Sequence, residues 1–126
     1  MTIYNLDKFV ASLWDWGFLD KCFGTTGIRI TDLDGFVERN EQFLLIEGKG
    51  AGVRLPQGQI RAYRALAKKG FTIIIIWGEP NKPHQMALWL PRQPFAGIPV
   101  DATLDDIARD VSAWFDRANK TGKEVA

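Results

Sequence analysis

The chain has 126 residues, and its 16 basic and 15 acidic side chains leave a formal net charge of +1; 46% of it is hydrophobic and 12% is aromatic. This profile predicts one compact domain over residues 1–126 and excludes a disordered chain, which would have fewer aromatic residues and a larger net charge. The longest apolar run, residues 71–77, is much shorter than the roughly 20 residues of a membrane span, so no membrane partner is expected.

The periodicity of apolar residues predicts a mixed α/β domain with elements in the order α-β-β-β-α-β-β-α. A strand, a helix and a second strand between residues 43 and 77 predict a parallel pair at the centre of the sheet. We therefore expect a central mixed sheet flanked by helices. In chain order the predicted elements are a helix over 6–18, strands over 28–33, 36–38 and 43–46, a helix over 59–69, strands over 71–77 and 84–90, a last helix capped by Asp101 or Thr103, and a frayed tail over 119–126.

Five tryptophans could stack on nucleobases. Four of them, Trp14, Trp77, Trp89 and Trp114, lie within helix or strand patterns. Core packing is therefore favoured for these four, and Trp16 is the one expected to be exposed.

The chain contains a single cysteine, Cys22, and a single histidine, His84. One cysteine excludes an internal disulfide and a thiolate zinc cluster, and it is typical of proteins in a reducing cytosol. One histidine excludes every mechanism that needs two. No basic stretch leads into a hydrophobic segment at the N-terminus, so no signal peptide is predicted and we expect a cytoplasmic location.

The charges are unevenly distributed along the chain. Residues 32–47 carry five acids and one base, a net charge of −4, whereas residues 49–69 carry six bases and no acid, a net charge of +6. A basic segment beside an acidic one suits an anionic polymer bound next to a site that holds a cation. A solvated helix face is the alternative interpretation of the basic segment.

The segment Glu47-Gly48-Lys49 follows an apolar strand. Side chains alternate along a strand, so Glu47 and Lys49 should lie on one face, at the strand end where open sheets place their ligand crevices. Antiparallel pairing around the preceding turn would bring Asp34 level with Glu47. Two converging carboxylates suit Mg²⁺ next to a phosphate, with Lys49 polarising the attacking water or acting as a base. The alternative is an Asp-Gly turn beside a surface Glu–Lys pair.

Beyond Lys49, a glycine-rich turn leads into a helix with Gln59 and Tyr63 one turn apart on one face. The stretch from Thr31 to Gln59, with its segments TDLDG, FLLIEGKG and LPQGQ, resembles the PD-(D/E)XK nuclease superfamily, and especially its small VRR-NUC-type and phage-encoded members. The similarity continues through FTIIIIWGE to Glu79. Leu33 stands where the family motif has proline.

The resemblance implies a restriction-endonuclease-like fold and phosphodiester hydrolysis with Mg²⁺ or Mn²⁺ as cofactor. It implies Asp34 and Glu47 as metal ligands and the Gly48 carbonyl as a third. It also implies Lys49 as the catalytic lysine and Gln59 as the residue that orients water or phosphate.

Some of the implied ligands have alternatives. Asp32 competes with Asp34, which is favoured because it adjoins the flexible Gly35 of the turn. Many relatives also use an acid from the first helix, a role open to Asp15 or Asp20. Tyr63 matches the Gln-x-x-x-Tyr helix signature of RecB-like members.

The leading prediction is a Mg²⁺-dependent nuclease of a bacterial or phage-infected cell, acting as a monomer or a homodimer. DNA is favoured over RNA as its substrate, but the sequence leaves this choice open. One alternative is a non-catalytic module on the same fold that binds nucleic acid or protein. Another is a carboxylate–metal hydrolase of small molecules, which the shortness of the domain and its basic helix disfavour. For the nuclease, the predicted phosphate contacts are Arg54, Arg61, Arg64, Lys68 and Lys69.

Overall fold

The computed structural model describes residues 6–93 and 97–125 of the chain, with side chains described as far as residue 120. The chain divides into two compact units, residues 1–32 and residues 33–126, which are taken in turn. That residues 1–126 form one domain stays a prediction.

Residues 6–32, the part of the first unit that the structure describes, contain two short helices. Helix α1 spans Leu6–Ser12, and a 3-10 helix spans Trp16–Phe23. The single helix predicted over 6–18 is therefore wrong. A separate helix begins after Asp15. The Asp15 side chain accepts a hydrogen bond from the Gly17 N–H at 2.9 Å and so caps the N-terminus of the 3-10 helix.

The strand predicted over residues 28–33 is also wrong. None of these residues belongs to a strand, and their side chains are exposed. Alternation of apolar and polar residues is a local property, whereas a strand also needs a neighbouring strand to take its backbone hydrogen bonds. The alternation and the β-branched residues of 28–33 are both local signals, and neither shows whether such a neighbour exists.

The expectation for the tryptophans holds in the sheet and in the last helix. Trp77, Trp89 and Trp114 are buried, at 7%, 2% and 4% exposure. In the first unit the expectation is reversed, because Trp14 is 72% exposed and Trp16 is half-buried. Their rings stack with centroids 5.6 Å apart.

The second unit is a five-stranded mixed sheet flanked by two helices, which confirms the predicted fold class. Its elements are β1 (Gly35–Arg39), β2 (Gln42–Lys49), α2 (Gln57–Lys68), β3 (Thr72–Glu79), β4 (Lys82–Trp89), β5 (Val100–Asp101) and α3 (Leu104–Val125). The strands lie side by side in the order β1-β2-β3-β4-β5, and this order is compatible with a restriction-endonuclease-like core. The pair β2–β3 is parallel, as predicted, and the other pairs are antiparallel. The short β5 has no counterpart among the predicted strands.

The sheet separates two apolar cores. On one face, called here the α2 face, Leu45 of β2 packs in a cluster with Tyr63 of α2. On the opposite face, Leu44 packs in a cluster with Trp114 of α3. Burial on both faces explains why β2 and β3 have continuous apolar runs rather than alternating ones.

The last helix begins at a capping box, in which Thr103 and Asp106 satisfy each other's backbone N–H groups. The Thr103 Oγ1 accepts from the Asp106 N–H at 3.2 Å, and the Asp106 carboxylate accepts from the Thr103 N–H at 2.8 Å. The predicted frayed tail, 119–126, is helical as far as Val125, and Ala126 lies outside the described residues. Within residues 6–93 and 97–125, no helix is long and apolar enough to cross a membrane.

The β1–β2 hairpin fixes the register on which the candidate site depends. Its turn is formed by Asn40 and Glu41, which have positive φ angles of 51° and 65°, as a type I′ turn requires. The register then runs without interruption to Gly35 opposite Ile46. Asparagine tolerates a positive φ, but for glutamate this conformation costs about 1 kcal/mol.

We expect Glu41→Gly to raise the free energy of unfolding by about 0.5–1 kcal/mol, because glycine adopts a positive φ without strain and completes the favoured Asn-Gly turn. Urea denaturation measures the change. Gln42→Gly, one residue later in β2, is the matched control and should lower the stability by about as much. A Glu41→Gly protein that is less stable than the wild type would contradict the role assigned to this turn.

Candidate functional site

The hairpin register brings Asp34 to the end of β2. Asp34 precedes Gly35, which pairs with Ile46, so Asp34 lies at the level of Glu47. Its Oδ2 accepts a hydrogen bond from the Gly48 N–H at 2.8 Å. The Asp34 carboxylate is therefore held beside Glu47 by the backbone of the adjacent strand, as the pairing around the turn predicts.

Glu47 is a buried acid. Its side chain is 6% exposed and follows Leu45 on the α2 face, where Lys49 also lies by the two-residue repeat of the strand. The pKa of Glu47 is raised above its ordinary value, first by burial and then by the negative charge of Asp34, while Lys49 lowers it in part. Two carboxyl groups thus share a site that disfavours a second negative charge.

Tyr63 of α2 faces this acidic pair. It is 5% exposed, and its ring packs edge-on against Trp89 with centroids 5.7 Å apart. Burial first, and then the negative charges of Glu47 and Asp34, together raise the pKa of Tyr63 to about 12. The phenol therefore stays protonated at neutral pH. The structure therefore places Tyr63, the tyrosine of the Gln-x-x-x-Tyr pattern, near the carboxylates of Asp34 and Glu47.

Gln59 lies one turn before Tyr63 on the same side of α2. Its amide oxygen Oε1 is buried and has no hydrogen-bond partner. An unpaired buried acceptor costs about 1–3 kcal/mol. A water molecule or a bound ligand that donates a hydrogen bond to this oxygen would remove that cost.

The carboxylate groups of this site are suitable ligands for a magnesium ion. Mg²⁺ binds through one or two carboxylates and keeps several waters, and Asp34 and Glu47 supply two carboxylates whose mutual repulsion a cation would relieve. Within residues 6–93 and 97–125, no group of three or more His, Cys, Asp or Glu side chains is arranged to hold a metal. The Gly48 carbonyl as a further ligand stays a prediction.

Three other acids named from the sequence belong to the first unit, and each has a partner there. Asp15 caps the 3-10 helix through the Gly17 N–H. Asp20 lies 3.9 Å from the Arg29 guanidinium. The Asp32 carboxylate accepts a hydrogen bond from the Trp16 indole N–H at 3.0 Å. A role for any of the three in metal binding stays a prediction.

The five basic residues named as phosphate contacts are exposed, and among the described residues none of them takes part in an ion pair. Three of them recur at three- and four-residue steps along α2, so they form one row on its surface. This basic row consists of Arg61, Arg64 and Lys68. The first turn of α2 contains no acid, and its N-cap, Pro56, makes no side-chain hydrogen bond. The N-terminal end of α2 therefore adds to the positive potential of this surface.

Comparisons of the chain with protein-family models, with curated proteins and with solved structures find no match. The resemblance to the PD-(D/E)XK superfamily therefore stays a prediction.

We expect Glu47→Gln to raise the free energy of unfolding at pH 7 in metal-free buffer. A raised pKa in the folded state means that ionised Glu47 destabilises the fold, so wild-type stability falls as the pH rises through the titration of this acid. Because glutamine is neutral, the Glu47→Gln protein does not lose stability over this pH range. Urea denaturation at several pH values should show the two proteins converging below about pH 4, where Glu47 is protonated in both states.

The matched control for this experiment is Glu41→Gln, which neutralises an exposed acid of the hairpin turn. It should change the free energy of unfolding little, both at pH 7 and below about pH 4. A Glu47→Gln protein that is less stable than the wild type at pH 7 would contradict the assignment of an unfavourable buried charge.

Proposed function

We propose that the protein is a divalent-metal-dependent nuclease that hydrolyses phosphodiester bonds of nucleic acid, with DNA favoured over RNA. The observation that carries this proposal is the buried Glu47 beside Asp34 at the end of β2, with Lys49 on the same face of the strand. The lone cysteine supports a cytoplasmic location, in a bacterial or phage-infected cell.

Asp34 and Glu47 are the residues that would hold Mg²⁺ or Mn²⁺, together with the carbonyl of Gly48. When bound, the metal supplies Lewis-acid stabilisation of the negative charge that develops on the scissile phosphate. The two carboxylates contribute their negative charge and a fixed separation, since the Gly48 N–H holds Asp34 in place.

Lys49 places an ammonium group beside the carboxylates, at the edge where the substrate phosphate would lie. Its positive charge stabilises a developing oxyanion, and its N–H groups orient the attacking water. Gln59 offers a buried acceptor for a water hydrogen. Tyr63 keeps its proton at neutral pH, so its hydroxyl is available as a hydrogen-bond donor and does not act as a base.

The basic surface of α2 supports a polyanionic substrate. Arg61, Arg64 and Lys68 form a row that can follow a phosphate backbone, and Arg54 and Lys69 extend the positive charge to the loop before the helix and to its C-terminal cap. Binding through such contacts releases counterions and weakens steeply as salt rises. A small-molecule substrate would not need this extended surface.

We expect Lys49→Ala to lower the rate of phosphodiester cleavage at least about 100-fold, the usual effect of losing one positioned group that stabilises a developing oxyanion. The assay follows purified protein with Mg²⁺ or Mn²⁺ on supercoiled, single-stranded, flap, junction and RNA substrates. EDTA should abolish cleavage. Lys82→Ala, at an exposed position of β4, is the matched control and should cleave at the wild-type rate.

A Lys49→Ala protein that cleaves as fast as the wild type would contradict the catalytic assignment. If the wild type bound nucleic acid on this panel but cleaved none of it, the result would favour a non-catalytic binding module on the same fold.

A further inference from the structure

The loop between β2 and α2, residues 50–56, leaves the candidate site at the end of β2 and carries Arg54. It begins with a tight turn, in which the Val53 N–H donates to the Gly50 carbonyl at 3.1 Å. Of the two central residues only Gly52 has a positive φ, of 72°, which is typical of a type II turn. Such a turn keeps its first and last residues within about 7 Å, so the chain folds back and Arg54 stays near the end of β2.

Packing gives the first part of this loop little support, because residues 50–54 are all exposed. A side chain of the neighbouring strand supports it instead. The Trp77 indole N–H donates to the Val53 carbonyl at 2.8 Å, immediately before Arg54. Both backbone polar groups of Val53 are therefore hydrogen-bonded, one within the turn and one to the sheet. Val53 is the point at which the exposed loop is fixed to β3.

Trp77 is a firm support for the loop because it is itself part of the core. It is 7% exposed and packs in the cluster of the α2 face with Ile75 and Ala87. It also pairs with Lys49 across β2–β3, and side chains of paired residues lie on the same face of strands about 4.8 Å apart. The residue that fixes the loop is therefore a direct neighbour of the proposed catalytic lysine.

Arg54 is the charged residue whose backbone this hydrogen bond fixes. It is exposed, and among the described residues it takes part in no ion pair, so its guanidinium is available to an anion. The planar donors of arginine match the oxygens of a phosphate. An arginine on a fixed backbone loses less conformational entropy on binding than one on a freely moving loop, so it binds more tightly.

We propose that Trp77 is a positioning residue for nucleic-acid binding at the candidate site: its indole N–H fixes Val53 so that Arg54 contacts a phosphate close to the scissile one. The identity of the ligand rests on the proposed nuclease function. Trp77 touches no substrate, in agreement with its burial. A tryptophan that only fills the core would affect the stability of the fold but not the strength of the contact between Arg54 and a phosphate.

The test measures the contribution of Arg54 to binding in two backgrounds, the wild type and Trp77→Phe. Phenylalanine keeps an aromatic ring in the core but has no N–H to donate. The probes are labelled oligo-dT, a labelled DNA duplex and a labelled RNA strand, and the one that the wild type binds most tightly is used throughout. Fluorescence anisotropy is measured over a range of salt concentrations, with Ca²⁺ in place of Mg²⁺ because both ions take oxygen ligands.

In the wild type, Arg54→Ala should weaken binding about tenfold at low salt, the usual effect of losing a hydrogen bond to a charged group. It should also reduce the slope of log affinity against log salt by about 1, since one phosphate contact is lost. Trp77→Phe should have the same two effects. Adding Arg54→Ala to Trp77→Phe should then change the affinity less than about twofold, because the two residues act through one contact.

Trp114→Phe is the matched control. Trp114 is buried to a similar extent, at 4% exposure, but packs on the opposite face of the sheet. Its replacement should lower the melting temperature as Trp77→Phe does, yet leave the tenfold effect of Arg54→Ala intact. Gly52→Ala disturbs the loop by a separate route, because alanine disfavours the φ of 72° although its Cβ would meet no atom within 4 Å. It should reduce the effect of Arg54→Ala, and it replaces Trp77→Phe if that protein does not fold.

A full tenfold effect of Arg54→Ala in a folded Trp77→Phe protein would overturn the inference, as would a wild type that Arg54→Ala does not weaken. Failure of the proposed function looks different. A protein that shows the coupling between Trp77 and Arg54 but cleaves nothing under Mg²⁺ keeps the positioning role and loses the nuclease. Cleavage by a protein in which the two changes act independently does the reverse, and a wild type that binds none of the probes would overturn both.

Discussion

The main constraint on the second unit is the burial of Glu47 next to a second carboxylate, that of Asp34. An ionised acid at the end of an apolar strand loses hydration, and Asp34 adds repulsion. The surrounding groups reduce this cost only in part: the Gly48 N–H satisfies Asp34, and Lys49 offsets some of the charge. A divalent cation bound there, as proposed above, would lower this cost further.

The fold brings these groups together through two strand pairings. The hairpin turn at Asn40 and Glu41 sets the antiparallel register of β1 and β2, and that register delivers Asp34 to Glu47. The parallel pairing of β2 with β3 requires a crossover, and α2 provides it. Because the crossover helix runs back from the end of β2, its first turns lie over that end, with Gln59 and Tyr63 on the inner side and the basic row outside.

The sequence was most informative where a residue pattern also fixes long-range contacts. The continuous apolar runs predicted β2, β3 and their parallel pairing, and the two-residue repeat placed Glu47 and Lys49 on one face. The pattern at 28–33 failed because alternation does not reveal whether a partner strand exists. The contact between Trp77 and Gln85 was also unpredictable, because these residues become neighbours only through the β3–β4 register.

Calorimetric titration with Mg²⁺ tests the central claim, that Asp34 and Glu47 form a cation site, most directly. The wild type and Asp32→Asn should bind the ion alike, because Asp32 has its partner in the Trp16 indole. Asp34→Asn should weaken binding more than about tenfold, since it removes one of the two carboxylates. If Asp34→Asn bound Mg²⁺ as tightly as the wild type, or if Asp32→Asn alone lost binding, the metal site described here would be wrong.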